Sequence, residues 1–406
     1  MQATGSSASE ERDLRFEIQA LLQAALLVFI FTAVVGILNG TDVVDFDQKT
    51  ILTHVHTGTL GWITLSVFAA ALWLFGKGAA VGAGSALAVR LLTVAAVATI
   101  PAYNLAFLTT YGEWRPVLGC LVLTTIVGFL AWVLTRARAV RLTTPHLGML
   151  AAVATSATGG LFGVLWGFQL ATGDQLLPEG GEDVHPATMV LGFLVPVGMA
   201  LAEWCFAWPQ AEEATTAGRV QIAMPFAGGV LVIVGILLDA PPIVALSLPF
   251  EVIGLLILLR RLWPHIRRVR LTQRGKDRFA ALSVAFLTVN IGLFFYMITR
   301  YAGDFDKAPE RELLALDHVM FIGVMTNAIL GLLYAITEER RDLWRGHDDL
   351  IFWGMNAALA GFAVGLFADV TVFKQIFTPV MGAAILLAIV TYSARLRLPA
   401  GVREAT

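Results

Sequence analysis

Long apolar runs separated by short polar segments repeat along the whole chain. Each run has about 20 residues, the length of helix that crosses a hydrocarbon layer about 30 Å thick. Backbone amides find no water there, so such runs satisfy their hydrogen bonds as helices. The pattern predicts an all-α, polytopic membrane protein of about twelve transmembrane helices. The predicted helices are 17–39, 51–76, 85–109, 114–137, 145–172, 184–208, 218–239, 241–263, 279–301, 313–336, 349–369 and 375–396.

The composition agrees with a protein that lies almost wholly within a lipid bilayer. Hydrophobic residues make up 57% of the 406 residues and charged residues only 14%, whereas soluble domains carry about 25% charged residues. No polar segment is long enough for a soluble domain. We therefore predict a single transmembrane domain over 1–406, with cytoplasmic tails at 1–16 and 397–406. The basic residues lie in short loops and form no basic domain, so a nucleic-acid partner is not expected.

The distribution of positive charge predicts the orientation in the membrane. With the predicted helices and the N-terminus inside, most of the 28 Lys and Arg residues fall on the inner side, as expected of cytoplasmic loops. The first apolar run lacks a clear small-residue cleavage site, so it is interpreted as a retained helix rather than a signal peptide. We expect a multi-pass protein of the cell inner (plasma) membrane with both termini in the cytoplasm.

Four histidines lie near the predicted outer ends of helices two, six and ten: His54, His56, His185 and His318. His185 follows His54 by 131 residues and His318 follows His185 by 133, so the histidine-bearing helices recur every four helices. This spacing predicts three diverged four-helix units in a pseudo-threefold arrangement. Ionisable groups inside a membrane usually mark a functional site. The alternative is that each histidine lies near the lipid head groups.

The residues after the histidines repeat in part. The runs HVHTGTLGW from His54 and HPATMVLGF from His185 share Leu-Gly-aromatic at equal offsets, and His318 begins HVMFIGVM. Positions two apart on a helix point about 200° apart, so His54 and His56 do not ligate one compact site without helix distortion. Gly58 and Gly61 share the face of His54. They favour close approach either of a flat macrocycle or of a neighbouring helix.

Histidines converging at one depth suit haem iron or copper. Met189 lies one turn after His185, where a thioether would suit soft copper. The alternative for Met189 is an ordinary core methionine. The two cysteines form no CxxCH motif, which argues against covalently attached haem.

Twelve helices with histidines at the outer ends of helices two, six and ten resemble subunit I of the haem-copper oxidases, a superfamily that includes the nitric oxide reductases. The second-helix run also resembles the motif of NnrS, a haem- and copper-containing membrane protein linked to nitric oxide stress. The resemblance implies one haem b held by His318 and by His54 or His56. It implies that His185 is a residual copper ligand or a ligand of a second site.

Three departures from the oxidase pattern bear on activity. Helix seven has no histidine, Met189 stands where many oxidases have a tyrosine, and helix ten has one histidine instead of two. The standard reduction of oxygen or nitric oxide is therefore not expected, and enzymatic activity is left open.

Two carboxyl groups lie inside predicted helices. Glu251 falls near the middle of helix eight and Glu203 toward the inner end of helix six. A buried carboxyl can carry protons, and both are candidates for that role. The alternative is ordinary hydrogen bonding between helices.

Three functions from different classes fit these observations. The leading one is a haem-binding, copper-binding membrane protein in electron transfer, gas sensing or the response to nitric oxide, with a redox partner or a diatomic gas as its ligand. A proton-coupled secondary transporter is the second, although transporter repeats usually come as halves rather than thirds. A cofactor-free scaffold subunit of a respiratory complex is the third.

Overall fold

A computed structural model describes residues 14–76, 81–109, 114–209, 211–301, 305–340 and 346–397. These residues contain twelve helices that are long and apolar enough to cross a membrane, and no strand. The prediction of an all-α polytopic membrane protein is confirmed. The helices, numbered α1 to α12, are Arg15–Gly40, Gln48–Gly76, Gly84–Thr109, Trp114–Ala137, Thr144–Thr172, Gly181–Ala207, Thr216–Leu237, Pro241–Ile266, Lys276–Tyr301, Glu310–Ile336, His347–Phe367 and Thr371–Arg397.

The observed bounds differ from the predicted ones by a few residues. The largest shift is at the start of α12, which begins at Thr371 instead of residue 375. The predicted tails 1–16 and 397–406 lie almost wholly outside the described residues. The side of the membrane that each end faces stays a prediction.

Three helices form the centre of the bundle. In α2, α6 and α10, 78%, 83% and 83% of the most apolar stretch is buried, against 33–50% in the other nine. These three are the helices that carry His54, His56, His185 and His318. The end of the bundle where these four residues lie is called the histidine end below.

Each central helix contains a π-helical segment just after its histidine. The segments are Thr57–Thr64, Thr188–Leu194 and Val319–Thr326, so their starts are 131 residues apart in both steps. Well under 1% of residues in proteins are π-helical, and such segments are often found at functional sites. Because the three segments start at equal spacings, they show a repeat of three units more directly than the histidine positions do.

A glycine at the fifth position of each π-helical segment lets another helix approach. These glycines are Gly61, Gly192 and Gly323. A Cβ atom at Gly61 would lie 2.4 Å from Val28 of α1, and one at Gly323 would lie 2.6 Å from Phe286 of α9. At Gly192 the nearest side chain is Thr155 of α5, at 3.0 Å. In every unit the first helix therefore packs against the glycine of its own central helix.

The outer helices repeat the same pattern. α1 packs against α12, α5 against α4 and α9 against α8, so the first helix of each unit joins the last helix of the unit before it. Three clefts result between the central helices at the histidine end. The first cleft lies between α2 and α10, the second between α2 and α6, and the third between α6 and α10.

Candidate functional site

The first cleft contains a cavity of about 190 Å³ lined by both His54 of α2 and His318 of α10. Helices α1, α11 and α12 complete its walls. One water needs about 10–15 Å³ by the same measure, so this cavity has room for a ligand much larger than a water. The structure thus brings together two of the histidines predicted to hold a haem.

Aromatic side chains cover much of the cavity wall. Trp62 stacks on Phe29 with ring centroids 4.6 Å apart, and its Nε1 donates a hydrogen bond to Thr326 of α10 at 3.0 Å. Phe362 of α11 packs beside His318 at 5.0 Å between centroids. This wall is rigid and mainly apolar, which favours a flat hydrophobic ligand.

Backbone hydrogen bonding fixes the ring nitrogen that His318 offers. Its Nδ1 is 2.8 Å from the carbonyl oxygen of Leu314. A carbonyl oxygen only accepts, so Nδ1 carries the proton and Nε2 keeps a lone pair. Histidines that bind metals are commonly oriented by a hydrogen bond of this kind.

His54 is held differently. Its ring packs against Gly36 of α1, where a Cβ atom would lie 3.2 Å from the His54 Cε1. Its Nδ1 is buried without a hydrogen-bond partner among the described residues. Gly58 also lines the cavity, whereas Gly61 faces α1 instead. Of the two glycines proposed for the macrocycle, only Gly58 borders the space.

A polar group lies at the edge of the cavity. Lys374 of α12 lines it and donates a hydrogen bond to Asp42 at 2.5 Å. This bond and a second one from Gln375 hold the pKa of Asp42 below its ordinary value. Lys374 and Asp42 thus form an ion pair at one edge of the cavity, and the carboxyl of Asp317 also lines it.

The second cleft brings together His56 of α2 and His185 of α6. Their ring centroids are 6.5 Å apart and their planes are parallel within 9°. His56 Nδ1 donates to the carbonyl of Leu52 and His185 Nδ1 to that of Gly159, both at 2.8 Å. Each ring thus keeps the lone pair of Nε2. His54 and His56 enter different clefts, as their opposite directions on the helix require.

A buried arginine accompanies this histidine pair. Arg115 of α4 is only 8% exposed, and its guanidinium lies 4.1 Å above the ring of Phe107. Phe107 in turn stacks on His56 at 4.1 Å between centroids. Tyr103 closes the same cluster, 5.0 Å from Phe107. The sequence analysis did not single out these three residues, because their proximity to the histidines depends on how α3 and α4 pack.

Met189, predicted as a copper ligand with His185, packs on α5. Its Sδ lies 2.9 Å from the place of a Cβ atom on Gly159. His185 packs on the same helix one turn further along, at Gly163. The ring of His56, from another helix, lies beside that of His185, a proximity that the sequence spacing alone did not indicate.

The third cleft carries a carboxyl group in place of histidines. Glu251 of α8 and Asn290 of α9 line a small cavity of about 10 Å³ there. Asn290 donates a hydrogen bond to the carbonyl of Leu316 at 2.8 Å. Both carboxyl oxygens of Glu251 are buried, and neither has a hydrogen-bond partner among the described residues.

Glu203, the other candidate proton carrier, is engaged in an ion pair. Arg261 of α8 donates to both of its carboxylate oxygens at 2.7 Å, and Gln221 of α7 donates to one of them at 3.1 Å. Bidentate pairing of this kind is among the stronger hydrogen-bonded arrangements in proteins. Glu203 therefore links three helices, while Glu251 remains the carboxyl with unused hydrogen-bonding capacity.

Within the described parts of the chain, no group of three or more His, Cys, Asp and Glu side chains is arranged to hold a metal ion. The histidines come as two pairs, one in the first cleft and one in the second. No protein-family model matches the chain, and no curated protein is similar to it in sequence.

Proposed function

We propose that the protein binds one haem b in the first cleft, with His54 and His318 as the iron ligands. The observation that carries this proposal is the mainly apolar cavity lined by imidazoles from two different helices. Bis-imidazole ligation suits a haem iron. The aromatic wall fits a macrocycle, and Lys374, which pairs with Asp42, is a basic group in the lining that would bind a haem carboxylate.

Electron transfer is the role that this arrangement supports best. When bound, the haem supplies an iron that exchanges one electron. With both His54 and His318 holding the iron, no coordination position would be left for a diatomic gas. The apolar wall excludes water, and Leu314 fixes the ring of His318, so the site favours a fixed geometry in both oxidation states. We place this site toward the outer face of the inner membrane, since the basic loops lie at the opposite end.

The test is a reduced-minus-oxidised visible spectrum of the full-length protein, purified from a haem-replete host. We expect a sharp α band near ~560 nm, the signature of a haem b with two nitrogen ligands, and one haem per chain. A flat spectrum would overturn the haem proposal. Co-purification of other subunits with such a colourless protein would instead favour the scaffold function.

The unpartnered carboxyl of Glu251 favours a second candidate, proton-coupled transport. A buried polar group without a partner is destabilising, and its presence in a membrane helix points to a use. In this case we expect substrate uptake into proteoliposomes to depend on a pH gradient, and Glu251→Gln to abolish that dependence. Substrate uptake of the same size without a pH gradient would contradict proton-coupled transport.

Replacing Glu251 by leucine is expected to stabilise the protein. The change removes two buried oxygens that lack hydrogen-bond partners, and each such group costs about 1–3 kcal/mol. Thermal unfolding in detergent, followed by intrinsic fluorescence, should show a higher midpoint. The matched control is Asn290→Leu in the same cavity, which should lower the midpoint because Asn290 loses its bond to Leu316. Destabilisation by Glu251→Leu would show that the carboxyl has a stabilising partner.

A further inference from the structure

The connection between α8 and α9 forms a hollow of about 230 Å³ at the end of the bundle opposite to the histidines. Its lining comes from residues between 265 and 278 and from Phe206 near the end of α6. One water needs about 10–15 Å³ by the same measure, so the hollow has room for a group of many atoms. It is called the basic hollow below, after the four arginines in its lining: Arg268, Arg270, Arg274 and Arg278.

Backbone hydrogen bonds give this connection a defined shape. The N–H of Arg268 donates to the carbonyl of His265 at 3.0 Å, and the N–H of Gln273 donates to the carbonyl of Arg270 at 2.8 Å. All four of these residues line the basic hollow. Arg268 and Arg270 are therefore carried by hydrogen-bonded turns.

Two of the four arginines are fixed by Asp349 near the start of α11. Its carboxylate accepts a hydrogen bond from Arg274 at 2.6 Å and another from Arg278 at 2.7 Å. The side chain of Arg278 is 0% exposed, and it also donates to the backbone carbonyl of Asp348 at 2.7 Å. One carboxylate thus serves two cations, and these two arginines form a fixed part of the lining.

The other two arginines leave positive charge in excess. Arg268 and Arg270 are exposed, and neither has an acidic partner among the described residues. Asp277 is the acidic residue of the described lining, and it already accepts a hydrogen bond from Lys276 at 2.9 Å. A cleft lined mainly by charge of one sign concentrates ions of the opposite sign, so the ligand expected here is an anion.

The chemistry of the lining suits a phosphate group. A guanidinium donates in a planar fork that matches two phosphate oxygens, and a phosphate has oxygens for more than one such fork. The first turn of α9, which begins at Lys276, adds the positive end of a helix dipole beside the arginines.

Apolar surface adjoins these cations. Phe206 and Val269 line the same hollow, and Trp263 in the last turns of α8 is 58% exposed. Tryptophans of membrane proteins are enriched at the level of the lipid head groups. The basic hollow thus lies at a depth that the head group of a phospholipid reaches, and that a phosphate compound dissolved in the adjoining water reaches as well.

We propose that the basic hollow binds a phosphate group, carried either by an anionic phospholipid or by a water-soluble phosphate compound. Arg268 and Arg270 bind the phosphate oxygens, while Arg274 and Arg278, held by Asp349, shape the lining and add charge. The proposal does not rest on the haem, because the basic hollow shares no residue with the haem cavity.

The test measures ligand binding to the full-length protein in a neutral detergent at about 0.15 M sodium chloride, where attraction between distant charges is screened. The probes are phosphatidylglycerol, inorganic phosphate and, as a lipid without net charge, phosphatidylcholine. Native mass spectrometry counts the bound ligand, and the rise of the thermal unfolding midpoint with probe concentration gives the affinity. We expect one phosphatidylglycerol or one phosphate per chain, and binding of phosphatidylcholine that is at least tenfold weaker.

Arg268→Gln and Arg270→Gln should each weaken this binding at least fivefold. Arg267→Gln is the matched control, since it removes the same charge from the same connection at a residue outside the lining, and it should change the affinity less than twofold. Bound phosphatidylglycerol that inorganic phosphate does not displace would assign the site to a lipid. Displacement by inorganic phosphate would assign it to a soluble compound.

Three results would overturn the proposal. One is the absence of binding for both phosphatidylglycerol and inorganic phosphate. Another is equal affinity for phosphatidylglycerol and phosphatidylcholine, which would mean that the acyl chains and not the charged head group are bound. The third is an equal loss of affinity in Arg267→Gln, Arg268→Gln and Arg270→Gln, because the diffuse charge of the connection would then account for the binding.

Discussion

Replacing His318 by alanine is expected to remove the haem from the purified protein. His318 offers one Nε2 lone pair to the cavity, and its ring is already oriented by the carbonyl of Leu314, so no rearrangement within α10 would supply another nitrogen. His54→Ala should also remove the haem, because His54 is the other proposed ligand. The measurement is the haem-to-protein ratio from the pyridine haemochrome spectrum. We expect it to fall from one to below one tenth in either variant.

His56→Ala provides the control for both variants. It removes an equally buried imidazole from the same helix as His54, but from the side that faces the second cleft. We expect its haem content and α band to match those of the wild type. Loss of haem in His56→Ala with full retention in His54→Ala would reverse the assignment of the two histidines. Full retention of haem in all three variants would place the haem elsewhere in the protein.

The positions of the helices were predictable because the membrane sets their length. Each apolar run had to cross the same hydrocarbon layer as a helix, and all twelve predicted runs are helices in the structure. The opposite directions of His54 and His56 followed from helix geometry alone. These features depend on local sequence, which is why they needed no knowledge of tertiary packing.

The π-helical segments were not predicted, because no local residue pattern specifies them. In two of the segments a threonine hydroxyl donates to the backbone carbonyl oxygen five residues earlier. Thr326, for example, donates to the carbonyl of Phe321 five residues earlier. One signal was nevertheless present in the sequence. Gly61, Gly192 and Gly323 are spaced by 131 residues in both steps, a stricter repeat than that of the histidines.

The sequence alone could not predict which histidines lie close together. The spacing grouped all four residues at one depth, but it did not say which helices are adjacent or which faces meet. In each of the two clefts that contain histidines, one histidine lies seven residues before the π-helix glycine of its own helix and the other lies five residues before it. In the third cleft the equivalent positions are Leu316 of α10 and Ala187 of α6, so neither histidine is present there. It carries the unpartnered carboxyl of Glu251 instead, and the three clefts have diverged in their chemistry.

The second large effect is expected at the end of the bundle opposite to the histidines. Asp348 of α11 accepts hydrogen bonds from both terminal nitrogens of Arg395 of α12, at 2.7 and 3.1 Å. Their side chains are 1% and 0% exposed. Arg278 of α9 donates to the backbone carbonyl of Asp348 at 2.7 Å. Asp348 thus stands at the junction of three helices, and its carboxylate offsets the buried positive charge of Arg395.

Asp348→Ala is expected to lower the free energy of unfolding by about 3–5 kcal/mol, the range found when one member of a buried ion pair is removed. Arg395 would stay buried without this counter-charge, and α12 would lose a tie to α11. The midpoint of chemical unfolding in detergent measures the effect. The midpoint of Asp348→Asn should lie between those of the wild type and Asp348→Ala, because the amide keeps one oxygen acceptor without the charge. The control is Glu213→Ala, which removes an exposed pair with Arg219 and should change stability by less than about 1 kcal/mol. Equal losses in Asp348→Ala and Glu213→Ala would mean that the helices at this end are held by apolar packing alone.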